Sequence, residues 1–220
     1  MVVHKVFERP DWGLLTAIGQ QATATLHEAL GKQGAMAFHI KPLYPGMKLC
    51  GPALTVAVPP GDNLMIHYAM TLARPGDVLV VDASGFTEAG PWGDIMTTAA
   101  MAQGIAGLVI DGCVRDAETL HELGFSVFAR GTSMKGTTKE HPGDVNVPIT
   151  CGSVHVSPGD IVVGDDDGVV VVPRAQAPSV LERARAREAD EEAKRRELRA
   201  GKSTVELLGL ADVLKSLGVE

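Results

Sequence analysis

Aromatic residues are scarce in this sequence: five Phe, two Trp and two Tyr make up 4% of its 220 residues. That removes the stacking platforms on which single-stranded nucleic acid is usually held. Basic charge is also in deficit, with 20 Lys and Arg against 27 Asp and Glu and a formal net charge of −7. A polyanion binder needs clustered cations, so no nucleic-acid partner is expected. Only three cysteines occur, Cys50, Cys113 and Cys151, with no CxxC spacing. An odd, scattered set points to reduced thiols rather than a disulfide framework. No run of about 18 apolar residues is present that could span a bilayer. The opening MVVHKVFERPDW lacks the apolar core of a signal peptide. The expectation is a cytoplasmic protein with no membrane partner.

What is present is ordinary for a folded chain. Hydrophobic residues make up 45% and charged residues 21%, and a chain of this length buries a core without covalent staples. Glycine is abundant at 25 residues, so many tight turns are expected. An acidic protein that binds small acids must supply local positive charge from an Arg, a Lys, a helix N-terminus or a metal.

Along the chain, apolar spacing predicts a first helix over residues 11–30, capped by Asp11 and stopped by Gly31 and Gly34. A strand over 53–58 and a short helix over 63–73 follow. Strands at 78–82, 107–111 and 126–129 then alternate with helices at 93–103 and 116–123. This alternation predicts a βαβ unit whose parallel strands end on one edge, where open α/β sheets place ligands. Short strands are expected at 145–150, 153–156, 161–163 and 169–172, then a charged helix over 175–200 and a last short helix over 205–217. The chain reads as one domain, 1–220, with a helical extension at 175–220. Pro-Gly-Asp recurs at 60–62, 75–77, 142–144 and 158–160. Irregular spacing makes these turns, with Asp bonding back to the backbone, rather than a functional repeat.

The strongest chemical signal is Gly107-Leu-Val-Ile-Asp-Gly-Cys-Val-Arg-Asp116. An apolar strand runs through a turn and delivers Arg115 and Asp116 where a helix starts, a preferred place for anions and metals. Asp116 offers hard carboxylate oxygen suited to Mg²⁺ or Mn²⁺. Arg115 offers a permanently charged donor fork. Two readings stand here: this chemistry, or a helix cap with Arg115 as its ion-pair partner. A second junction has the same design. Val78-Leu-Val-Val-Asp82 leads through a glycine-containing loop to Pro91-Trp-Gly-Asp94, again at a helix start. If the two strands are neighbours, Asp94 and Asp116 face one edge, and backbone N–H groups after Gly93 can hold a carboxylate.

The spacing of Asp94, twenty residues, then Arg115-Asp116 resembles the signature of the 4-hydroxy-4-methyl-2-oxoglutarate / 4-carboxy-4-hydroxy-2-oxoadipate aldolases, whose wider superfamily contains the regulator of ribonuclease E activity. The resemblance runs from about Gly51 to Gly201. It includes Pro59-Pro-Gly-Asp-Asn63, Lys135-Gly-Thr-Thr138, Val145-Asn-Val-Pro148 and Pro158-Gly-Asp-Ile-Val-Val-Gly-Asp-Asp-Asp-Gly168. It implies an α/β fold in four αββα layers, a homotrimer or dimer of trimers with the extension on a neighbouring subunit, and a site at the boundary. By position, Asp116 would bind the divalent metal and Asp94 a metal-held water. Arg115 would meet the keto oxygen, and the backbone around Gly93, Ile95 and Met96 the pyruvate carboxylate. Asn63 would face the site. Glu191 is the best match for a metal-site glutamate supplied by the adjacent subunit, with Glu188 and Glu192 as the alternatives.

The implied reaction is metal-dependent retro-aldol cleavage of a 4-hydroxy-2-oxo acid to pyruvate, with Arg115 stabilising the enolate. Oxaloacetate decarboxylation is the expected side activity. A water held by the acidic cluster is the expected base, because neither His nor Lys lies in the motif. The alternative is a catalytically idle binding protein like the ribonuclease E regulator. Several other features take plainer readings. Asp165-Asp-Asp-Gly168 is expected to be a hairpin turn, and Cys113 a small buried residue. His67 is read as a polar contact and His121 as structural. Lys135 is kept as a possible binding residue for a distal carboxylate.

Overall fold

The computed structural model describes residues 1–219. Its organising element is the nine-residue strand Leu49–Ala57. The first part of this strand pairs antiparallel with Ile161–Asp165, and its second part runs parallel to Val78–Asp82. Beyond Val78–Asp82 lie Gly107–Ile110 and Val127–Ala129, both parallel. Beyond Ile161–Asp165 lies Gly168–Val172, antiparallel across a hairpin. Lys41–Pro42 at one end and Asp144–Val145 beside Leu49–Ala57 complete eight strands. The sheet curls until its ends nearly meet: Lys41 Nζ donates to the Asp167 carbonyl, and Met36 N to the Val169 carbonyl.

Among the described residues eight helices accompany the sheet: α1 (Trp12–Gly19), α2 (Thr23–Ala29), α3 (Leu64–Met70), α4 (Asp94–Ala102), α5 (Ala117–Leu123), α6 (Ala177–Arg199), α7 (Thr204–Leu207) and α8 (Ala211–Ser216). Strand side chains alternate between faces, and here both faces are buried, as parallel strands require. Leu79, Val81, Leu108 and Ile110 meet Ile66 of α3, Met96 of α4 and Leu120 of α5. Val78, Val80, Val109, Phe128, Val162 and Val171 face inward across the curled sheet. Ile161, Val163, Val170 and Val172 meet Leu15 and Ile18 of α1, Leu26 of α2 and Val180 of α6. Helices, sheet, sheet and helices therefore follow one another as four layers.

The expected long first helix is two helices. Asp165 breaks it from the far hairpin, its oxygens accepting from Thr23 N at 3.0 Å and Thr23 Oγ1 at 2.6 Å, which restarts the helix with a capped end. Asp11 caps α1 as expected, accepting from Gly13 N at 2.8 Å. The last short helix is also two, divided at Gly209, whose φ is 64°. A reciprocal cap between Ser203 and Glu206 starts the first of them. Three of the four Pro-Gly-Asp turns behave as read: Gly61, Gly76 and Gly159 have positive φ, whereas Asp144 of the fourth lies in the strand Asp144–Val145 and its Oδ1 accepts from distant Val2 N. Asp62, Asp77 and Asp160 accept from Leu64 N, Arg74 N and Ser157 N.

Helix α6 has 23 residues, about 35 Å at 1.5 Å per residue. Only its first half is anchored, by Ala177, Val180 and Ala184 and by Arg183 Nε donating to the Ala29 carbonyl at 2.7 Å. None of the described helices is long and apolar enough to cross a membrane.

Candidate functional site

The two parallel strands Val78–Asp82 and Gly107–Ile110 end side by side, and the chain leaving each crosses the other above the sheet edge. Asp111 N donates to the Val81 carbonyl at 2.9 Å, and Arg115 N to the Trp92 carbonyl at 2.9 Å. Trp92 fixes the crossing. It is fully buried, its Nε1 donates to Thr97 Oγ1 at 2.7 Å, and its ring stacks on Phe125. The next two residues, Gly93 and Asp94, therefore arrive beside Arg115 and Asp116 through fixed backbone.

Asp116 does not cap its own helix. Its backbone is left-handed, with φ 57° and ψ 38°, and its side chain makes no capping bond to α5. Asp tolerates this region better than most residues. The turn sends the carboxylate towards α4 instead, where Oδ2 accepts from Asp94 N at 3.3 Å. The same oxygen lies 3.4 Å from Arg115 Nε, in a partly exposed pair whose side chains are 36% and 43% accessible. An ion pair so exposed holds little structure together. Gly93 is what permits the approach. A Cβ there would stand 2.3 Å from Asp116 Oδ2 and 3.1 Å from both Cγ and Nε of Arg115.

A cleft of about 170 Å³ opens against this cluster, lined by Asn63, His67, Gly90, Pro91, Gly93, Ile95, Met96, Arg115 and Lys139. Asn63, Gly93, Ile95, Met96 and Arg115, five of the residues singled out in the sequence, thus share one cavity, whereas Asp94 and Asp116 are not among its lining residues. Asp94 Oδ1 accepts from Ile95 N at 2.7 Å, so the carboxylate already sits on the backbone N–H assigned to a substrate carboxylate. Glu191 lies on α6, its oxygens paired with Arg187 at 2.9 Å and Arg195 at 3.2 Å of the same helix.

The donor set suits a hard, hydrated cation. The Asp116 carboxylate meets the backbone of Asp94, whose own carboxylate lies one residue on at Ile95 N, and the described residues contain no group of three His, Cys, Asp or Glu that would cage an ion. Mg²⁺ characteristically binds through one or two carboxylates and keeps its remaining positions for water and substrate oxygens.

Two cleft residues stand outside the sequence reading. The polar contact expected of His67 is not made: among the described residues its buried Nε2 has no partner, nor has Asn63 Oδ1. Burial, then the charge of Lys139, lowers the His67 pKa from its ordinary value, which keeps the ring neutral near pH 7. Lys139, not Lys135, lines the cavity. Lys135 is exposed and bonded to Glu88, which in turn holds the Glu88 carboxyl below its ordinary pKa. A signal was present in the Asn63-x-x-x-His67 spacing, which puts both side chains on one helix face.

The plainer readings hold. Asp165–Gly168 closes the hairpin between Ile161–Asp165 and Gly168–Val172. His121 packs against Tyr44 with ring centroids 4.1 Å apart and the planes tilted by 34°. Cys113 is buried, and burial, the leading cause, raises its pKa.

A family model described as RraA-like, Aldolase/RraA, matches residues 23–171. The chain is 43% identical over 174 residues to a Halalkalibacterium halodurans protein provisionally named 4-hydroxy-4-methyl-2-oxoglutarate aldolase, a match covering 79% of this chain and 83% of that one. Among solved structures it is similar to a Streptomyces coelicolor protein described as an unusual member of the RNase ES inhibitor RraA family. That match has a TM-score of 0.78 and 34% identity over 86% of this chain and 99% of that one. The RNA-processing inhibitor RraA of Thermus thermophilis matches with a TM-score of 0.65 and 28% identity, over 70% of this chain and 93% of that one.

Proposed function

This chain belongs to the RraA-like family, and from that premise we propose that its cleft is the active site of a divalent-metal-dependent aldolase. The substrate is a 4-hydroxy-2-oxo acid with a further carboxylate, of the 4-hydroxy-4-methyl-2-oxoglutarate or 4-carboxy-4-hydroxy-2-oxoadipate type, and pyruvate is a product. One observation carries the reading: Asp116 turns away from its own helix to meet the start of α4, beside a cation and across a glycine that leaves room for nothing larger. A mere helix cap needs none of this.

Asp116 would hold the cation, Mg²⁺ or Mn²⁺, and Asp94 a water of its shell. When bound, the cation supplies Lewis acidity towards the keto and carboxylate oxygens of the substrate. The substrate carboxylate takes the α4 N-terminus at Ile95 and Met96 and displaces the Asp94 side chain from Ile95 N. Arg115 lies beside the C2 oxygen. The C4 hydroxyl gives its proton, through a water, to the freed Asp94 carboxylate. The C3–C4 bond then breaks, and its electron pair passes onto C3 and into the C2 oxygen, where the Arg115 guanidinium stabilises the developing charge. C4 leaves as the carbonyl carbon of the second 2-oxo acid, and return of the proton from Asp94, through the water, to C3 yields pyruvate. The same electron flow follows loss of CO₂ from oxaloacetate, the proposed side activity.

The extension supports assembly with further copies of this chain as a homotrimer or a dimer of trimers. Leu208, Val213, Leu217 and Val219 are exposed, an apolar set that a neighbouring subunit would cover. For Glu191 to enter that neighbour's site it must release Arg187 and Arg195.

The test is pyruvate release, coupled to lactate dehydrogenase, from a 4-hydroxy-2-oxo diacid and from oxaloacetate with Mg²⁺ and with chelator. Mg²⁺-dependent release from both is expected. Release from neither favours a non-catalytic regulator, a reading compatible with the RNA-processing inhibitors among the structural relatives.

A further inference from the structure

The cleft holds polar groups that the proposed reaction leaves unused. His67 Nε2 and Asn63 Oδ1 are buried and meet no partner among the described residues, although both residues line the cavity. Buried polar atoms of this kind are costly unless something entering the site completes them. Lys139 brings a positive charge to the same cavity.

Lys139 lies in a polar loop with few apolar residues to anchor it, and Asp62 does the anchoring. This carboxylate is almost wholly buried. Its Oδ2 accepts from Thr138 Oγ1 at 2.7 Å, Glu140 N at 2.8 Å and His141 N at 3.1 Å, and its Oδ1 from Leu64 N at 2.8 Å. Asn63 N also donates to the Thr138 carbonyl at 3.1 Å, and Thr138 N to the Gly61 carbonyl at 2.9 Å. Residue 139 is thus bracketed on both sides by bonds to the base of α3, the helix that carries Asn63 and His67. A buried carboxylate gathering neighbouring donors holds its segment firmly, and here that segment presents a lysine to the cleft.

Resting on the aldolase reading, we propose that Lys139 and His67 form a second anion subsite that takes the distal carboxylate of a 2-oxo diacid, and that Asp62 is the residue that positions Lys139 there. Lys139 supplies the charge and the neutral His67 ring a directed N–H. Arg115 and the α4 N-terminus serve the 2-oxo carboxylate end. The subsite therefore sets selectivity between diacids and monoacids rather than the rate of bond cleavage.

Calorimetry on the full chain with Mg²⁺ tests this, with 2-oxoglutarate as the diacid and 2-oxobutyrate as the monoacid. The wild type should bind the diacid about tenfold more tightly or better, equivalent to one charge-assisted contact. Lys139→Ala should erase the preference, Lys139→Arg should restore most of it, and His67→Gln should reduce it. Asp62→Asn should lower diacid affinity and leave monoacid affinity unchanged, whereas a merely structural Asp62 would weaken both alike. If Asp62→Asn does not fold, the Lys139 pair still decides. Absence of the preference in the wild type, or its survival in Lys139→Ala, overturns the proposal. Turnover of the hydroxy acids is measured in parallel. A Lys139-dependent preference without pyruvate release refutes the aldolase reading and leaves the subsite standing; release without the preference does the reverse.

Discussion

Replacing Gly93 by alanine adds one methyl group at the point where the two loops touch. The backbone there is extended, with φ −154° and ψ −164°, so alanine adopts it without strain and the effect is purely steric. The new Cβ would stand 2.3 Å from Asp116 Oδ2, whereas ordinary contact begins at 3.4 Å. The carboxylate must therefore retreat by about 1 Å, a displacement that can cost on the order of 10²-fold in rate when it misplaces a catalytic group. That corresponds to about 2.7 kcal/mol of lost transition-state stabilisation. Asp116 and Arg115 are partly exposed, so the clash can be relieved into solvent and the fold should survive with little change in Tm. Steady-state pyruvate release and thermal unfolding, measured on the same preparation, check both halves. Turnover within about threefold of wild type, well short of that two-decade loss, would show that the Asp94–Arg115–Asp116 spacing is not what the chemistry uses.

Arg115→Ala and Asp116→Asn should each abolish measurable turnover while circular dichroism remains native. Asn is the better probe at 116 because it also tolerates the left-handed backbone; near-normal rates in either variant would remove that residue from the mechanism. Asp62 opposes its burial with the bonds from Glu140 N, Leu64 N, Thr138 and His141 N, which hold its carboxyl well below the usual carboxylate range. A depressed native pKa contributes stability that is present above the unfolded value of about 4 and lost as pH falls below it. Wild-type Tm should therefore drop on acidification from about pH 5 towards pH 3, and more steeply than in Asp62→Asn; equal slopes would assign the acid sensitivity elsewhere. Burial pushes the Cys50 thiol up to about 11, leaving roughly one thiolate in a thousand at pH 8. Fully buried Cys151 is raised well above its ordinary value for the same leading reason. Native protein should resist iodoacetamide at pH 8 and react at three thiols once denatured; rapid native alkylation at Cys50 would contradict that burial.

Much of this fold is legible in the sequence because the relevant forces are local. Val78–Asp82 matches its expected bounds, since a short apolar run flanked by turn residues has few other places to go. The starts of α4 and α5 are legible from Gly93-Asp94 and Asp116, and so is the convergence of their loops once the strands are taken as parallel neighbours. What escapes the sequence comes from partners far away in the chain. The break between α1 and α2 is imposed by Asp165, 142 residues beyond Thr23. The place of His67 in the site depends on the loop at 138–141 folding back onto Asp62, a bond across 76 residues to Thr138. Local spacing cannot choose between Lys135 and Lys139 either, because Glu88, 47 residues before Lys135, engages the one and leaves the other to the cleft. Spacing alone does not tell whether Asp116 caps its own helix either; its left-handed backbone turns the side chain away from that role.

A crystal of the protein soaked with Mg²⁺ and pyruvate should show the cation at Asp116 with Asp94 reached through water, Arg115 on the keto oxygen and the carboxylate at the α4 N-terminus. Pyruvate and cation both bound elsewhere, with Arg115, Asp94 and Asp116 contacting neither, would contradict the proposed active site.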